Sequence, residues 1–425
     1  MNIFDQLLAD NQIPKFVRVR HEMDHSHIDD IEGAVAQAMR REGTLDRIKP
    51  GDSVCITAGS RDVANIARII RAICDQVKSV GAHPFIIPAM GSHAGAKAEG
   101  QRGIIEGYGV TEEAMGAPIR ASMDTEVIAH SKSGLEIHLD KFANAADFLI
   151  PVGRIKAHTD FRGEVESGIC KMLVIGMGKQ HGAYQCHKLG FKSMAANVKE
   201  FAGAIIEKKP NMFAIGLIEN AYHQTCRIEA IPAGRILEEE PPRLEYAKSR
   251  MAKVPFDQAD ILFVDETGKD ISGAGMDPNV TGRSPVLGIS RPFFQRIAVF
   301  DLTDKSHGNF GGLGSADVTT QRLYRKIDFE QTYPNGITAA EPLAVRLPAV
   351  MPSDRTAMQF ALRTATDCDW EKGPRIVWLK NTLSLSEFYI SEALIPDAEA
   401  LDNVTIVSEP MEVIFDEEGN VKELR

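Results

Sequence analysis

The stretch from Pro151 to Lys188 concentrates side chains that can do chemistry. A short apolar run ends at Ile150, and charged residues and imidazoles follow it at once. Further along, Lys171 precedes four apolar residues in a row. Removing a lysine from water lowers its pKa and makes its amine a better nucleophile. Because imidazoles carry protons or bind metals near neutral pH, this stretch is predicted to hold a reactive centre. Its imidazoles are those of His158, His181 and His187.

The elements that must position these groups begin with a predicted βαβ unit at residues 52–93. Val54–Thr57 and Phe85–Ile87 are predicted strands, and apolar residues at helical spacing lie between them. Each predicted strand ends in small and titratable residues. These are Ser60 and Arg61 after the first strand and His93 after the second.

The same order of apolar strand and polar cluster recurs four times along the chain. In open parallel sheets, ligands bind beyond the carboxyl ends of the strands. The repetition therefore predicts an active site at such an edge, with Lys269 following one of the strands. The predicted strands are Phe148–Val152, Phe213–Ile218, Ile261–Val264 and Ile297–Leu302.

A chain of 425 residues is too long for one ordinary core, so two domains are expected. We predict an α/β fold of two domains with parallel βαβ units and an active-site cleft between them. The first domain is assigned to residues 1–255 and the second to 256–425, whose last residues are free to return to the first. Glu238–Pro242, three glutamates and two prolines, is the predicted linker or exposed turn.

Composition excludes several classes of partner. The net charge of −11, with no basic stretch to offset it, argues against nucleic acid. No signal peptide is recognised, and no run of about 18 apolar residues predicts a membrane span. The six cysteines show no CxxC pair or regular spacing, which fits a reducing cytoplasm.

Nucleotide-binding motifs are missing or ambiguous. Neither a G-x-G-x-x-G after a strand nor a Walker lysine pattern occurs. The glycine-rich run Gly308–Ser315 could cradle a phosphate with backbone amides, or form a flexible surface loop. Arg61 precedes a predicted helix, where it could bind a carboxylate or phosphate at the helix N-terminus, or form a surface salt bridge.

Taken in order, these motifs resemble the nickel-pincer lactate racemase family of 2-hydroxyacid racemases and epimerases. Ser167-Gly168-Ile169-Cys170-Lys171 is similar to the family's lysine motif, and His187 follows Lys171 by the family's sixteen residues. The segment Ala58–Arg61 keeps the family's arginine but has lost its aspartate. Ile169 replaces a glycine, and His158 precedes the lysine by thirteen residues rather than ten.

The resemblance implies an isomerase that removes hydride from a 2-hydroxy acid and returns it to either face. The implied cofactor is a nickel-pincer nucleotide, a sulfur-bearing pyridinium mononucleotide that holds nickel. His187 would be its nickel ligand, and the cofactor contacts would include a tether at Lys171. The resemblance implies that His93 and His158 act as acid and base. Arg61 and Lys269 would bind the carboxylate of the substrate. Ser60 and Gly168 would contact the cofactor.

Two other classes remain open from the residues. One is a 2-hydroxyacid dehydrogenase or lyase that uses a metal or free nicotinamide, and the other is a non-catalytic metal- or nucleotide-binding protein. The expected partner is a small-molecule 2-hydroxy acid whose identity the sequence leaves open. An oligomer is compatible with the sequence.

Overall fold

A computed structural model describes residues 3–60, 63–284, 289, 291–339 and 341–425. The chain divides into two compact units. Asp24–Met251 form one, called here the middle unit, and Met1–Met23 with Ala252–Arg425 form the other, the terminal unit. The chain thus passes between the units after residue 23 and again after residue 251. The domain assignment to residues 1–255 and 256–425 stays a prediction. The last residues lie in the terminal unit.

Apolar runs bounded by glycine, proline or polar clusters form the strands, as is typical of buried parallel sheets. In chain order the strands are β1 Phe16–His21, β2 Ser53–Ala58, β3 His83–Pro88, β4 Thr125–His130, β5 Glu136–Asp140, β6 Phe148–Ile150, β7 Val152–Arg154, β8 Phe213–Glu219, β9 Thr225–Pro232, β10 Gln258–Thr267, β11 Phe293–Leu302, β12 Val318–Thr320, β13 Ala349–Met351, β14 Ile376–Leu379, β15 Glu387–Ser391, β16 Val404–Ile406, β17 Val413–Phe415 and β18 Val421–Leu424.

The α-helices connect these strands, and several begin with a side-chain cap, such as that of Asp30 on the amide of Gly33. In order they are α1 Ile3–Leu8, α2 Ile31–Arg40, α3 Ile66–Ser79, α4 His93–Ala96, α5 Ala98–Gly107, α6 Glu112–Met115, α7 Lys141–Ala145, α8 Ile169–Lys171, α9 Lys179–His187, α10 Phe191–Lys208, α11 Ile236–Arg250, α12 Pro278–Thr281, α13 Gln321–Tyr324, α14 Phe329–Ala339, α15 Asp354–Thr364 and α16 Ile395–Glu399. Within the described ranges, no helix is long and apolar enough to cross a membrane.

The middle unit is built on short parallel sheets. β2 lies between β3 and β6 and is parallel to both, with Cys55 opposite Phe85 on one side and Leu149 on the other. β7 is parallel to β8, which is antiparallel to β9. The predicted βαβ unit is therefore β2–α3–β3, and α3 packs its apolar face on this sheet through Ile69, Ile70 and Ile73. The α/β fold class is confirmed.

The terminal unit contains a mixed sheet with the order β13-β12-β11-β10-β14-β15-β1-β16. The first five strands in this order, β13, β12, β11, β10 and β14, are parallel to one another. The remaining three, β15, β1 and β16, are antiparallel to their neighbours. β1 lies between β15 and β16, with Phe16 opposite Ser391 and Val19 opposite Ile406. This pairing explains why the first residues belong to the same unit as the last.

The linker prediction at Glu238–Pro242 is wrong. These residues lie inside α11, and both prolines are within the helix. The helix persists because its acids have tertiary or local partners: Glu239 pairs with Arg235 and Arg243, and Glu240 is buried and accepts a backbone hydrogen bond. Tertiary contacts can outweigh low helix propensity in this way.

Candidate active site

His158 lies in a loop between β7 and α8 whose two ends are paired. The amide of Lys156 donates to the carbonyl of Ser167 over 3.0 Å, and the amide of Ser167 donates back over 3.2 Å. The carboxylate of Glu166 is fully buried inside this loop and accepts the amide N–H of His158 over 2.8 Å. Two cations compensate its charge, Arg162 at 3.3 Å and Lys248 at 3.0 Å. The loop is thus organised around one buried carboxylate.

The imidazole of His158 contacts Lys171. Its Nδ1 accepts the amide N–H of Asp160 over 3.0 Å, its Nε2 meets the Nζ of Lys171, and its ring lies 4.2 Å from that of Phe161. Burial, followed by the charge of Lys171, lowers the pKa of His158 well below its usual value. The imidazole is therefore neutral near pH 7.

Lys171 ends α8, and a π-helical turn, Met172–Gly176, continues from it. A π turn within a helix often marks a functional position. The start of α8 is held by Glu240, whose Oε2 accepts the amide of Cys170 over 2.8 Å. Any side chain at Gly168 would overlap the Oε1 of Glu240, so glycine is required there by close approach. Burial raises the pKa of Glu240.

His187 is the last residue of α9, and one of its ring nitrogens makes a hydrogen bond within the helix. Its Nδ1–H donates to the carbonyl of Ala183 over 2.6 Å, and its ring meets Phe191 edge-on at 6.0 Å. Burial lowers the pKa of His187, which favours the neutral ring. The lone pair is therefore on Nε2, in the tautomer typical of a histidine that binds metal. Among the described residues, no group of three or more His, Cys, Asp or Glu is placed to hold a metal ion.

Ser60 and His93 form a second group at the ends of β2 and β3. The hydroxyl of Ser60 lies 2.5 Å from the Nδ1 of His93. Tyr108 donates its hydroxyl to the carbonyl of Ser60 over 2.9 Å, and the amide of Gln101 donates to the carbonyl of Gly91 over 2.8 Å. These contacts fix the backbone on both sides of the pair, while the His93 side chain is exposed.

The two groups adjoin through the π-helical turn. The amide of Gly91 donates to the carbonyl of Gly176, and a Cβ at Gly91 would come within 3.1 Å of Ile175. A Cβ at Gly59 would come within 3.4 Å of Met172. The ends of β2 and β3 therefore lie against the helix that carries Lys171. The turns that carry Ser60 and His93 thus contact the same helical segment that follows Lys171, the residue in contact with His158.

Two predicted residues were assigned to the substrate carboxylate. Arg61 is outside the described residues. Lys269 belongs to the terminal unit, where its amide donates to the hydroxyl of Ser306 over 2.9 Å and its Nζ donates to the carbonyl of Gly273 over 2.5 Å. Their proposed roles on a substrate carboxylate, and a cleft between the domains, stay predictions.

The glycine-rich run Gly308–Ser315 is not a flexible surface loop, because its residues from Phe310 onward are buried. A Cβ at Gly312, which has a φ of 101°, would overlap the carbonyl of Ala274. Close packing requires glycine here, so the run needs no ligand to explain its composition.

Sequence reasoning missed the acids that hold the site. The burial of Glu166 could have been suspected from the sequence, because this charged residue lies beside Val165 and close to the apolar run after Lys171. For Glu240 the sequence was misleading, because the two prolines that follow it indicated a linker or an exposed turn. The ion pair of Arg154 with Glu219, at 2.5 Å, joins the ends of β7 and β8, but residues so far apart in sequence gave no indication of contact.

Comparisons with known proteins concern the N-terminal domain and the fold. Residues 4–198 match the family model of the lactate racemase N-terminal domain. Among solved structures, the chain is similar to the lactate racemase apoprotein from Thermoanaerobacterium thermosaccharolyticum, with 15% identity, a TM-score of 0.52, and coverage of 86% of this chain and 94% of that one. A protein from Thermotoga maritima matches with 10% identity and a TM-score of 0.45, over 83% of this chain and 87% of that one. No curated protein matches this chain.

The domain match covers most of the middle unit, including every proposed site residue except Lys269. The structural match extends over both units and shows the fold. The resemblance seen in the sequence motifs is confirmed. Residues 4–198 are thus similar to the lactate racemase N-terminal domain, and the fold of the chain is similar to that of the lactate racemase apoprotein.

Proposed function

We propose that this protein is a racemase or epimerase of a 2-hydroxy acid. The observation that supports this most directly is the contact of a buried, neutral His158 with Lys171 at the end of the lactate racemase-like domain's lysine motif. A neutral imidazole can accept the proton of a substrate hydroxyl and give it back. The substrate is inferred to be a small 2-hydroxy acid, and the loss of the family's aspartate at Ala58 leaves room for one other than lactate.

The residues present fit the nickel-pincer nucleotide. His187 offers one neutral nitrogen while its other nitrogen is bound to a carbonyl, as metal-binding histidines usually are. Lys171, half-buried at the end of α8, would hold the nucleotide covalently, with Gly168 and Ser60 beside it. When bound, the group supplies a hydride acceptor for the C2 hydrogen of the substrate.

Residues of the chain would transfer the proton of the substrate hydroxyl. His158 would take the hydroxyl proton from one enantiomer, and His93 from the other. Ser60 orients the ring of His93 through its hydrogen bond to Nδ1. Arg61 and Lys269 would bind the carboxylate of the substrate.

The reaction is proposed to occur in the cytoplasm. The described cysteines are all free thiols, and burial raises the pKa of Cys55, Cys170 and Cys186. Thiols in this state are stable in a reducing compartment.

The proposal is tested with deuterium at C2 of candidate 2-hydroxy acids, using protein purified from a host that makes the pincer cofactor. Optical activity should be lost while deuterium stays on C2, because the C2 hydrogen returns to the same carbon without exchanging with water. Turnover of the labelled substrate should be slower. Loss of the label to solvent would contradict the proposal, because it indicates proton abstraction at carbon.

Two variants test the cofactor assignment separately. His187→Ala should lose nickel, measured by elemental analysis, and keep the covalent mass. Lys171→Arg should lose the covalent mass, measured on the intact protein. Full nickel occupancy in His187→Ala would contradict the ligand assignment.

A further inference from the structure

A fully buried ion pair lies beside the proposed site and is used by none of its steps. The Nζ of Lys179 lies 3.2 Å from the Oδ2 of Asp140, and neither side chain is exposed to solvent. Lys179 also donates to the carbonyl of Pro88. Asp140 caps α7 through its Oδ1, which accepts the amides of Phe142 and Ala143 over 2.8 and 3.1 Å.

This pair is expensive to bury. Burial is the largest influence on both groups: it lowers the pKa of Lys179 and raises that of Asp140, so each is pushed towards its neutral form. Replacing a buried ion pair with uncharged residues of similar size is often neutral or stabilising. Stability alone therefore does not explain the pair.

The backbone of Lys179 adds a second cost. Its φ is 53°, in the left-handed region that residues other than glycine rarely adopt. A residue stays in that region only when its surroundings hold it there, and such residues cluster at functional sites. Here the surroundings are the Pro88 carbonyl and the Asp140 carboxylate.

The three residues join elements that carry the proposed histidines. Lys179 is the first residue of α9, which ends at His187. Pro88 is the last residue of β3, and the turn after it leads to His93. Asp140 ends β5, and its amide donates to the carbonyl of Met177 over 2.8 Å.

We propose that Lys179 and Asp140 are positioning residues that fix the turn before His93 and the start of the His187 helix against each other. The single ammonium group contacts the end of β3 and the end of β5 from the first turn of α9. Misplacing either histidine by about 1 Å would be enough to lower the rate on the order of 10²-fold. The effect on catalysis rests on the proposed function, whereas the effect on the two histidines does not.

The test uses the double variant Lys179→Met with Asp140→Asn. Asparagine keeps the oxygen that caps α7, and the two substitutions together leave no buried charge unpaired. Each single variant should lower the melting temperature strongly, because it leaves one buried charge. The double variant should recover much of that loss.

The imidazole NMR signals of His93 and His187 are the readout that a merely structural pair would not move. In the double variant of the cofactor-free protein, both signals should shift. In the loaded enzyme, kcat should fall on the order of 10²-fold with little change in KM. A double variant with wild-type stability, wild-type histidine signals and wild-type kcat would overturn the proposal. Shifted signals without any racemase activity in the wild type would instead reject the proposed function alone.

A measurement on the wild type covers the case in which the double variant does not fold. The amides of Gly91 and Gly182 report on the two turns, since they donate to Gly176 and Gly178. If the ion pair fixes the turns together, both amides should exchange with solvent in one cooperative opening with the same free energy. Independent opening of the two turns would overturn the proposal.

Discussion

The cores of the two units differ in what they bury. The middle unit buries charge around the proposed site: Lys179, Asp140, Glu166 and Glu240 are all inaccessible to solvent. The core of the terminal unit's sheet is aromatic, with Phe263 in contact with Phe16, Phe300 and Trp378 at ring distances of 5.6–6.3 Å.

The difference indicates that the middle unit, rather than the terminal unit's sheet, contains the buried groups that lower stability. Aromatic contacts bury large apolar areas and stabilise the terminal unit at little cost. Buried charges are costly, and in the middle unit Glu166 and Glu240 contact the backbone of His158 and Cys170. The comparison predicts that substitutions at the site in the middle unit change catalysis, with or without a loss of stability. Substitutions in the aromatic cluster should change stability alone.

The largest effect is expected at His158. Replacing it with Gln should lower racemisation in both directions by ~10²–10⁴-fold, since one enzyme cannot change the equilibrium between enantiomers. The melting temperature should change little, because the amide that contacts Glu166 remains. His181→Gln is the matched control: it makes the same change at an exposed histidine and should leave the rate unchanged. Equal rates for both variants would remove His158 from the mechanism.

Phe263→Ala tests the other side of the comparison. Opening a cavity among the aromatic rings should lower the free energy of unfolding by about 3–5 kcal/mol, measured in urea. Phe293, half-exposed on the adjacent strand β11, is the control, and its replacement by Ala should cost far less. Equal losses of unfolding free energy in Phe263→Ala and Phe293→Ala would contradict the stabilising role of the aromatic cluster.

Glu166→Gln should cost about 2–3 kcal/mol of unfolding free energy, because Lys248 and Arg162 lose their buried counter-charge. Glu164→Gln, two residues away, breaks an exposed pair with Lys199 and should cost less than about 1 kcal/mol. Racemase activity of Glu166→Gln should also fall, as the loop of His158 loosens. A Glu166 variant as stable as the Glu164 variant would show that the buried carboxylate does not organise the loop.

The smallest effect is expected at Asp265, an acid beside the aromatic cluster. Burial raises its pKa to about 7, and Trp378 donates to it over 2.6 Å. Since the folded-state pKa lies above the unfolded value of about 3.9, its contribution to stability is full below pH 4 and is lost as the pH rises through 7. Asp265→Asn should therefore increase the free energy of unfolding more at pH 8 than at pH 5, by on the order of 1–2 kcal/mol. Equal changes at both pH values would contradict the raised pKa.

Much of this could be predicted from the sequence because the signals were local. The strands at Val54–Thr57 and Phe213–Ile218 were short, mostly apolar runs, and Lys171 was noticeable because an apolar run follows it. The role of Glu240 could not be predicted, because its burial depends on α8, which is about seventy residues earlier in the chain. Lys179 was equally hidden, since the sequence does not reveal a left-handed backbone at a lysine.

The position of β1 has a consequence for biosynthesis. Its residues are made before the middle unit, yet Phe16 pairs with Ser391 and Val19 with Ile406, which are made after it. The middle unit lies entirely between them, so it can fold on the ribosome while β1 still has no partner. At about 5–20 residues per second, the sheet of the terminal unit would wait roughly ten seconds or more after the middle unit is complete. During translation the unpaired edges of β1 are therefore open to pairing with other chains until its partners are made.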